Sequence, residues 1–172
     1  MAEQCVGRPI ILTLAMDDEA HACFDALRRV HFPPELNHIA AHLTLFHALP
    51  DEPEAVRDAV HAACEGREPF AILVEEVHSI GRGVVYRCRS EELAELRSEI
   101  AARFTDRLTR QDAMGFRPHV TVQNKVTPER AKETLAKLTR HFVPWEFTAL
   151  GVELWHYVGG PWRPIGRVEL TG

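Results

Sequence analysis

The sequence predicts an α+β fold in two similar lobes, a bilobal pseudo-two-fold duplication in which two antiparallel sheets form a central cleft with helices on the outside. Three observations lead there. Helical segments rich in Ala, Glu and Arg alternate with short runs of Val, Ile, Leu and Phe, the pattern of a mixed protein. The order strand, helix, strand, Gly-rich turn, strand occurs twice. Sliding the chain against itself by 77 positions places His42 on His119, Thr44 on Thr121, Phe70 on Phe147, Leu73 on Leu150, Glu76 on Glu153 and Gly83 on Gly160, all in one register without a gap.

The elements follow in order. Residues 9–15 read as a strand, and Asp17 or Asp18 caps a helix that runs to about His31, where Pro33-Pro34 stops it. A loop with Asn37-His38 leads to a strand near 41–47. Asp51-Glu52-Pro53 opens a helix to about Glu65, ended by Gly66. Strands near 70–80 and 84–89 are joined by Gly81-Arg82-Gly83, a hairpin turn. Ser90 with Glu91-Glu92 starts what reads as the longest helix, reaching about Leu108. A strand at 119–124, a helix from Thr127-Pro128-Glu129 to about His141, and strands at 146–157 and 163–170 around Gly159-Gly160-Pro161 complete the chain.

With 172 residues, 45% of them hydrophobic, the chain is sized to bury one substantial core, so 1–172 reads as one domain with an internal repeat near 42–89 and 119–170. Cys5, Cys23, Cys64 and Cys88 are widely spaced, with no C-x-x-C and no zinc-ligand cluster, which fits reduced thiols in a cytoplasmic protein. The apolar run Ile10 to Met16 is too short for a signal sequence, and no segment reaches membrane-spanning length. A net charge of −5 argues against long, non-specific nucleic-acid binding, which needs clustered Lys and Arg; a small anion in a local pocket remains compatible. The expected state is a monomer.

Residues two apart on a strand share a face, so His42 and Thr44 project together while Leu43 and Leu45 project to the other side; His119 and Thr121, backed by Val120 and Val122, repeat this. Related by a two-fold, the two pairs face each other across a cleft. A phosphodiester between them meets an imidazole on each side. Near neutral pH one ring can take a proton from an attacking water while the other gives one to the departing ribose oxygen. Thr44 and Thr121 donate hydrogen bonds to the non-bridging oxygens.

The two H-x-T-x motifs, His42-Leu43-Thr44-Leu45 and His119-Val120-Thr121-Val122, resemble the signature of the two-histidine phosphoesterase superfamily, and the flanking HLTLFHALP and FRPHVTVQNKV are similar to its bacterial branch, the 2′,5′ RNA ligase family. The resemblance covers nearly the whole chain in length and element order. It implies a bilobal fold with the active site between lobes, cyclic phosphodiesterase or 2′,5′-phosphodiesterase and ligase chemistry, and no metal or nucleotide cofactor. His42, Thr44, His119 and Thr121 carry over as catalytic residues. The implied partner is an RNA end or a small nucleotide phosphodiester.

Phe46 and Gln123 lie two residues beyond the threonines on the same faces, which makes them candidate cleft residues. Arg117 either binds phosphate or caps a surface loop, and Lys125 is similar. Among Tyr86, Trp155, Tyr157 and Trp162, Tyr157 is the candidate for stacking a base and the others read as packing. His47 falls on the opposite face of the first motif strand, His38 lies in the loop before it, and the remaining histidines show no metal-ligand spacing. Two other classes are a binding module that captures a nucleotide or RNA end without turnover, and a metallohydrolase. The first has no need of both imidazoles, and the second is disfavoured by the lack of Asp or Glu in either motif.

Overall fold

The computed structural model describes residues 7–172, and Cys5 lies outside them. Strand β1 (Ile10–Met16) leads into helix α1 (Asp18–His31), where the Asp17 carboxylate accepts from the Ala20 N–H at 2.8 Å. Then come β2 (Thr44–Leu49), α2 (Pro53–Cys64), β3 (Phe70–Ser79), β4 (Val84–Arg89), α3 (Glu91–Ala102), the single turn α4 (Arg110–Ala113), β5 (His119–Gln123), α5 (Pro128–Thr139), β6 (Trp145–Tyr157) and β7 (Trp162–Glu169). Pro53 and Pro128 open α2 and α5 at positions where no backbone N–H is needed, and the Ser90 and Thr127 hydroxyls cap α3 and α5.

The third helix stops at Ala102 rather than near 108, so α1, at 14 residues, is longer. Phe104 is the reason. To bury its ring the chain tightens, with the Phe104 N–H bonded to Ala101 O at 2.9 Å, and continues as a 3-10 turn over Thr105–Arg107. No apolar periodicity announces α4; the Thr109 hydroxyl starts it by accepting from the Asp112 N–H. The strand expected from 41 begins at Thr44, because the three residues before it make only isolated contacts, among them Leu14 N–H to Leu43 O at 2.9 Å.

The strands run in the order β2-β1-β6-β3-β4-β5, with β7 also on β6, and every pairing is antiparallel. The two sheets are continuous through β6. Its first residues, Trp145 to Ala149, pair with β3, and its later ones pair with β1 and β7. At 13 residues it is long enough to serve both halves.

The ends of this path meet, because Leu43 bridges Val120 in antiparallel fashion. Leu43/Val120 and Ala71/Thr148 are both antiparallel partners 77 positions apart. A two-fold that exchanges residues 77 apart must pass through every such pair, so both pairs lie on the axis. The halves it relates are β1-α1-β2-α2-β3 and β4-α3-β5-α5-β6, so the first copy starts one strand and one helix upstream of 42, β4 opens the second copy rather than closing the first, and β7 lies outside both. Helix α1 packs on β5, α5 on β3 and β4, and α2 on α3, β6 and β7. Phe24 of α1 is fully buried, with the rings of Trp145, Tyr86 and Phe147 at 5.3, 5.6 and 6.0 Å.

Candidate active site

Around the Leu43/Val120 pair, antiparallel geometry sets His42 opposite Thr121 and Thr44 opposite His119. Leu43 and Val120 are completely buried, so alternation sends the four polar side chains together to the other face. Directly opposed residues hold their Cβ atoms about 4.5–5.5 Å apart. The two motifs thus form one cluster astride the two-fold.

Both rings are held alike. Nδ1 of His42 lies 2.8 Å from Ala40 O and Nδ1 of His119 lies 2.9 Å from Arg117 O, and residues 40 and 117 are again 77 apart. A carbonyl only accepts, so Nδ1 carries hydrogen in both rings and Nε2 is the nitrogen offered to a ligand.

The strands beneath are pinned crosswise by two arginines, Arg28 buried and Arg97 half-buried. Arg28 of α1 donates to Thr121 O at 3.0 Å and Asn37 Oδ1 at 2.8 Å, with its guanidinium 4.0 Å over the Phe32 ring. Arg97 of α3 donates to Leu45 O at 3.0 Å and Asp112 O at 2.6 Å, between the rings of Phe46 and Phe116. Each half therefore clamps the motif strand of the other, which holds the cluster in fixed geometry.

The environments of the two rings differ. His119 is exposed, whereas His42 is half-buried beneath Trp162, with ring centroids 4.6 Å apart. Burial pushes His42 down to about 4; the hydrogen bond to Ala40 opposes this, while the charges of Arg28, His119 and His47 add to it. A cavity of about 360 Å³ beside His42 is lined by His21, His38, Glu153, Trp155 and Trp162. Trp155 donates its indole N–H to Thr13 Oγ1 at 2.9 Å. Tyr157, at the end of β6, is exposed, and its cross-strand partner Trp162 is the ring that lies against the site instead. Sequence reasoning places Trp162 in packing because nothing local marks the β6–β7 hairpin as folding back over His42.

Phe46 and Gln123 are turned away. Both are completely buried, and the Gln123 amide donates to Thr134 Oγ1 at 2.8 Å, leaving its Oε1 without a partner among the described residues. The cause is a β-bulge in each motif strand. Leu12 pairs with Phe46 but Thr13 with Thr44, so Leu45 is the extra residue; Val84 pairs with Gln123 but Val85 with Thr121, so Val122 is extra. Each bulge breaks strict alternation, and Leu45-Phe46 and Val122-Gln123 both face inward.

The same bulge brings His47 to the cleft side, opposite to what alternation predicts. It lines a cavity of about 210 Å³ with Thr44, Gln111, Arg117 and His119. Its Nδ1 lies 3.2 Å from Asp112 Oδ1, which also accepts the His47 N–H at 2.8 Å, while Asp112 Oδ2 accepts the Ala48 N–H at 2.9 Å. Burial alone would raise the Asp112 carboxyl; the hydrogen bonds from the His47 ring and from the two backbone N–H groups outweigh it and hold the group below its ordinary value.

Arg117 is exposed on the ridge between this cavity and a second hollow of about 330 Å³ that runs to Arg87 and Ser90. Lys125 is exposed, at a turn with φ of 61°. Among the described residues no three His, Cys, Asp or Glu side chains are grouped as metal ligands, and no helix is long and apolar enough to cross a membrane.

Compared with known proteins, residues 16–161 match the family described as the 2′-5′ RNA ligase superfamily. Among solved structures, the chain is similar to one titled as a phosphoesterase (TM-score 0.65, 17% identity, covering 96% of this chain and 99% of that one). It is similar as well to E. coli LigT complexed with 3′-AMP (0.63, 17%, 96% and 99%) and to TT0787 of Thermus thermophilus (0.66, 15%, 95% and 98%). At these identities the likeness shows the fold. No curated protein matches the sequence.

Proposed function

Because the chain belongs to the 2′-5′ RNA ligase superfamily, we propose that it is a metal-independent phosphoesterase, acting on 2′,3′-cyclic phosphates or 2′,5′-phosphodiesters of nucleotides or RNA ends. The observation that carries this reading is the meeting of the two His/Thr pairs across Leu43/Val120, with both Nδ1 atoms tied to carbonyls. E. coli LigT forms complexes with 3′-AMP, NADP+ and ATP, which supports a ligand of nucleotide size here.

A phosphodiester seated over the bridge has an Nε2 on either side, as in-line displacement requires. His42, kept neutral at pH 7 by its burial, is the base. It takes a proton from water as the water oxygen bonds to phosphorus. The bond from phosphorus to the ribose oxygen breaks on the far side, and His119 gives its Nε2 proton to that oxygen. The reaction leaves His42 protonated and His119 neutral, and exchange with solvent resets both. Thr44 and Thr121 donate to the non-bridging oxygens as charge accumulates there. With a ribose hydroxyl in place of water, the same steps run backwards as ligation.

The test is hydrolysis of nucleoside 2′,3′-cyclic phosphates and 2′,5′-linked dinucleotides in EDTA, followed by ³¹P NMR. Turnover by the wild type is expected, with a loss of about 10²–10⁴-fold in kcat for His42→Ala or His119→Ala and little change in nucleotide affinity. Activity abolished by the chelator, or retained in either variant, refutes the mechanism. Nucleotide binding without turnover by the wild type points to the binding module.

A further inference from the structure

We infer that His47, held by Asp112, forms a second anion subsite on the His119 side of the cleft, and that the substrate class is a ribose phosphodiester carrying another phosphate next to the scissile one. This rests on the phosphoesterase reading for the identity of the first phosphate.

The β2 bulge is the starting point. It puts Phe46 into the core and His47 onto the face of Thr44, so the imidazole enters the cavity that also contains His119. Asp112 then fixes the ring. The carboxylate is 1% exposed, accepts Nδ1–H of His47 and the N–H groups of His47 and Ala48, and is backed by the Arg97 guanidinium on its own carbonyl. With Nδ1–H given to Asp112, Nε2 faces outward, and it donates to an anion as the imidazolium, whose second N–H the phosphate itself holds. Bracing the bulge accounts for the two backbone bonds alone, which any residue at 47 would supply. The imidazole is what that structural role leaves over.

The cavity suits an anion. Thr44, His47, Gln111, Arg117 and His119 offer donors, and the one acidic residue on its wall, Asp112, has both oxygens engaged. No free carboxylate is left there to repel a phosphate.

The repeat sharpens the point. The partners of His47 and Asp112 at the 77-residue shift are Asn124 and Glu35. Asn124 turns its Oδ1 to the Lys125 N–H at 2.8 Å, and Glu35 is exposed. The dyad thus exists on one side of a near-symmetric cleft only. A substrate whose second phosphate seats there has its direction fixed.

The experiment is calorimetric binding of adenosine 3′-monophosphate and adenosine 3′,5′-bisphosphate, with their 2′ isomers, to wild type, His47→Ala and His47→Gln. Binding of the bisphosphate at least tenfold tighter than the monophosphate is expected for wild type. The preference should fall below threefold in His47→Ala and recover in part in His47→Gln, whose amide restores a donor. His47 is exposed, and its backbone bonds to Asp112 survive substitution, so folding is not at issue. A wild type indifferent to the second phosphate, or a preference unchanged in His47→Ala, overturns the inference. Since this readout is binding, it stands if cyclic phosphates are not hydrolysed, the result that would sink the proposed function. Hydrolysis with an unchanged preference sinks only the subsite.

Discussion

Replacing Trp162 with alanine uncovers His42 without touching either motif. The half-buried ring is lowered from about 6.5 to about 4, and at 1.36 kcal/mol per pKa unit that gap is on the order of 3 kcal/mol between its neutral and charged forms. His42 keeps part of its surface in water, which screens the interaction and leaves about half of that. Trp162, at 4.6 Å, is the aromatic cover; the hydrogen bond to Ala40 and the charge of Arg28 remain in the variant. Its removal should return roughly one pKa unit of the difference. Because kcat/KM reports groups on the free enzyme, the wild-type acidic limb should lie well below the ordinary imidazole range and should move up by roughly one unit in Trp162→Ala. NMR titration of the His42 ring reads the same quantity without substrate. A wild-type His42 that titrates near 6.5, or a limb that does not move in the variant, refutes the assignment of His42 as the buried base.

Other outcomes follow from the same geometry. Asp112→Ala strands the N–H groups of His47 and Ala48 and should cost about 3 kcal/mol by urea unfolding; a loss below 1 kcal/mol would mean that water replaces the carboxylate. Since the Asp112 carboxyl is held below its ordinary value, its stabilisation is present above the unfolded carboxyl pKa near 3.9 and is lost as pH falls through the lower folded one. His42 acts in the same sense in a higher window: its folded pKa also lies below the unfolded one, so it costs nothing above about 6.5 and destabilises increasingly as pH falls from there towards 4, visible as a falling Tm. Gly83→Ala should cost about 1–3 kcal/mol, because a Cβ there would sit 2.0 Å from Gln123 O. Gly160→Ala, with nothing within 4 Å, should be neutral within about 0.5 kcal/mol; equal losses at both glycines would contradict this.

What the sequence made legible were features carried by local pattern or by repetition. Asp17, Ser90, Thr127 and the helix-opening prolines mark helix starts by side-chain chemistry that needs no distant partner. The H-x-T spacing fixes which side chains share a face over three residues, and across that span alternation holds. It fails one residue later, since a bulge is set by the neighbouring strand: Thr13 and Leu12 take up Thr44 and Phe46, and nothing within β2 records that Leu45 is skipped. Phe46 and His47 therefore exchange roles. Trp162 escapes for a similar reason, because its place over His42 depends on how β7 returns along β6. The end of α3 escapes as well, because Phe104 continues a plausible helical sequence and only its burial, a tertiary fact, turns the chain.

The symmetry of the cluster raises a question that its asymmetry answers. Two H-x-T motifs, two carbonyl-held rings, two bulges and two crossed arginines make a site that is nearly the same from either side. Taken alone, such a site has no reason to use one histidine as base and the other as acid. The differences lie outside the repeated parts. Trp162 covers His42, while His119 stays open beside the His47–Asp112 dyad. Burial on one side lowers His42, and the dyad on the other gives His119 a different neighbour, so the two rings differ in what they can contact. On the proposed mechanism, the duplicated core would supply the geometry of in-line attack, and the unduplicated surroundings would give it a direction.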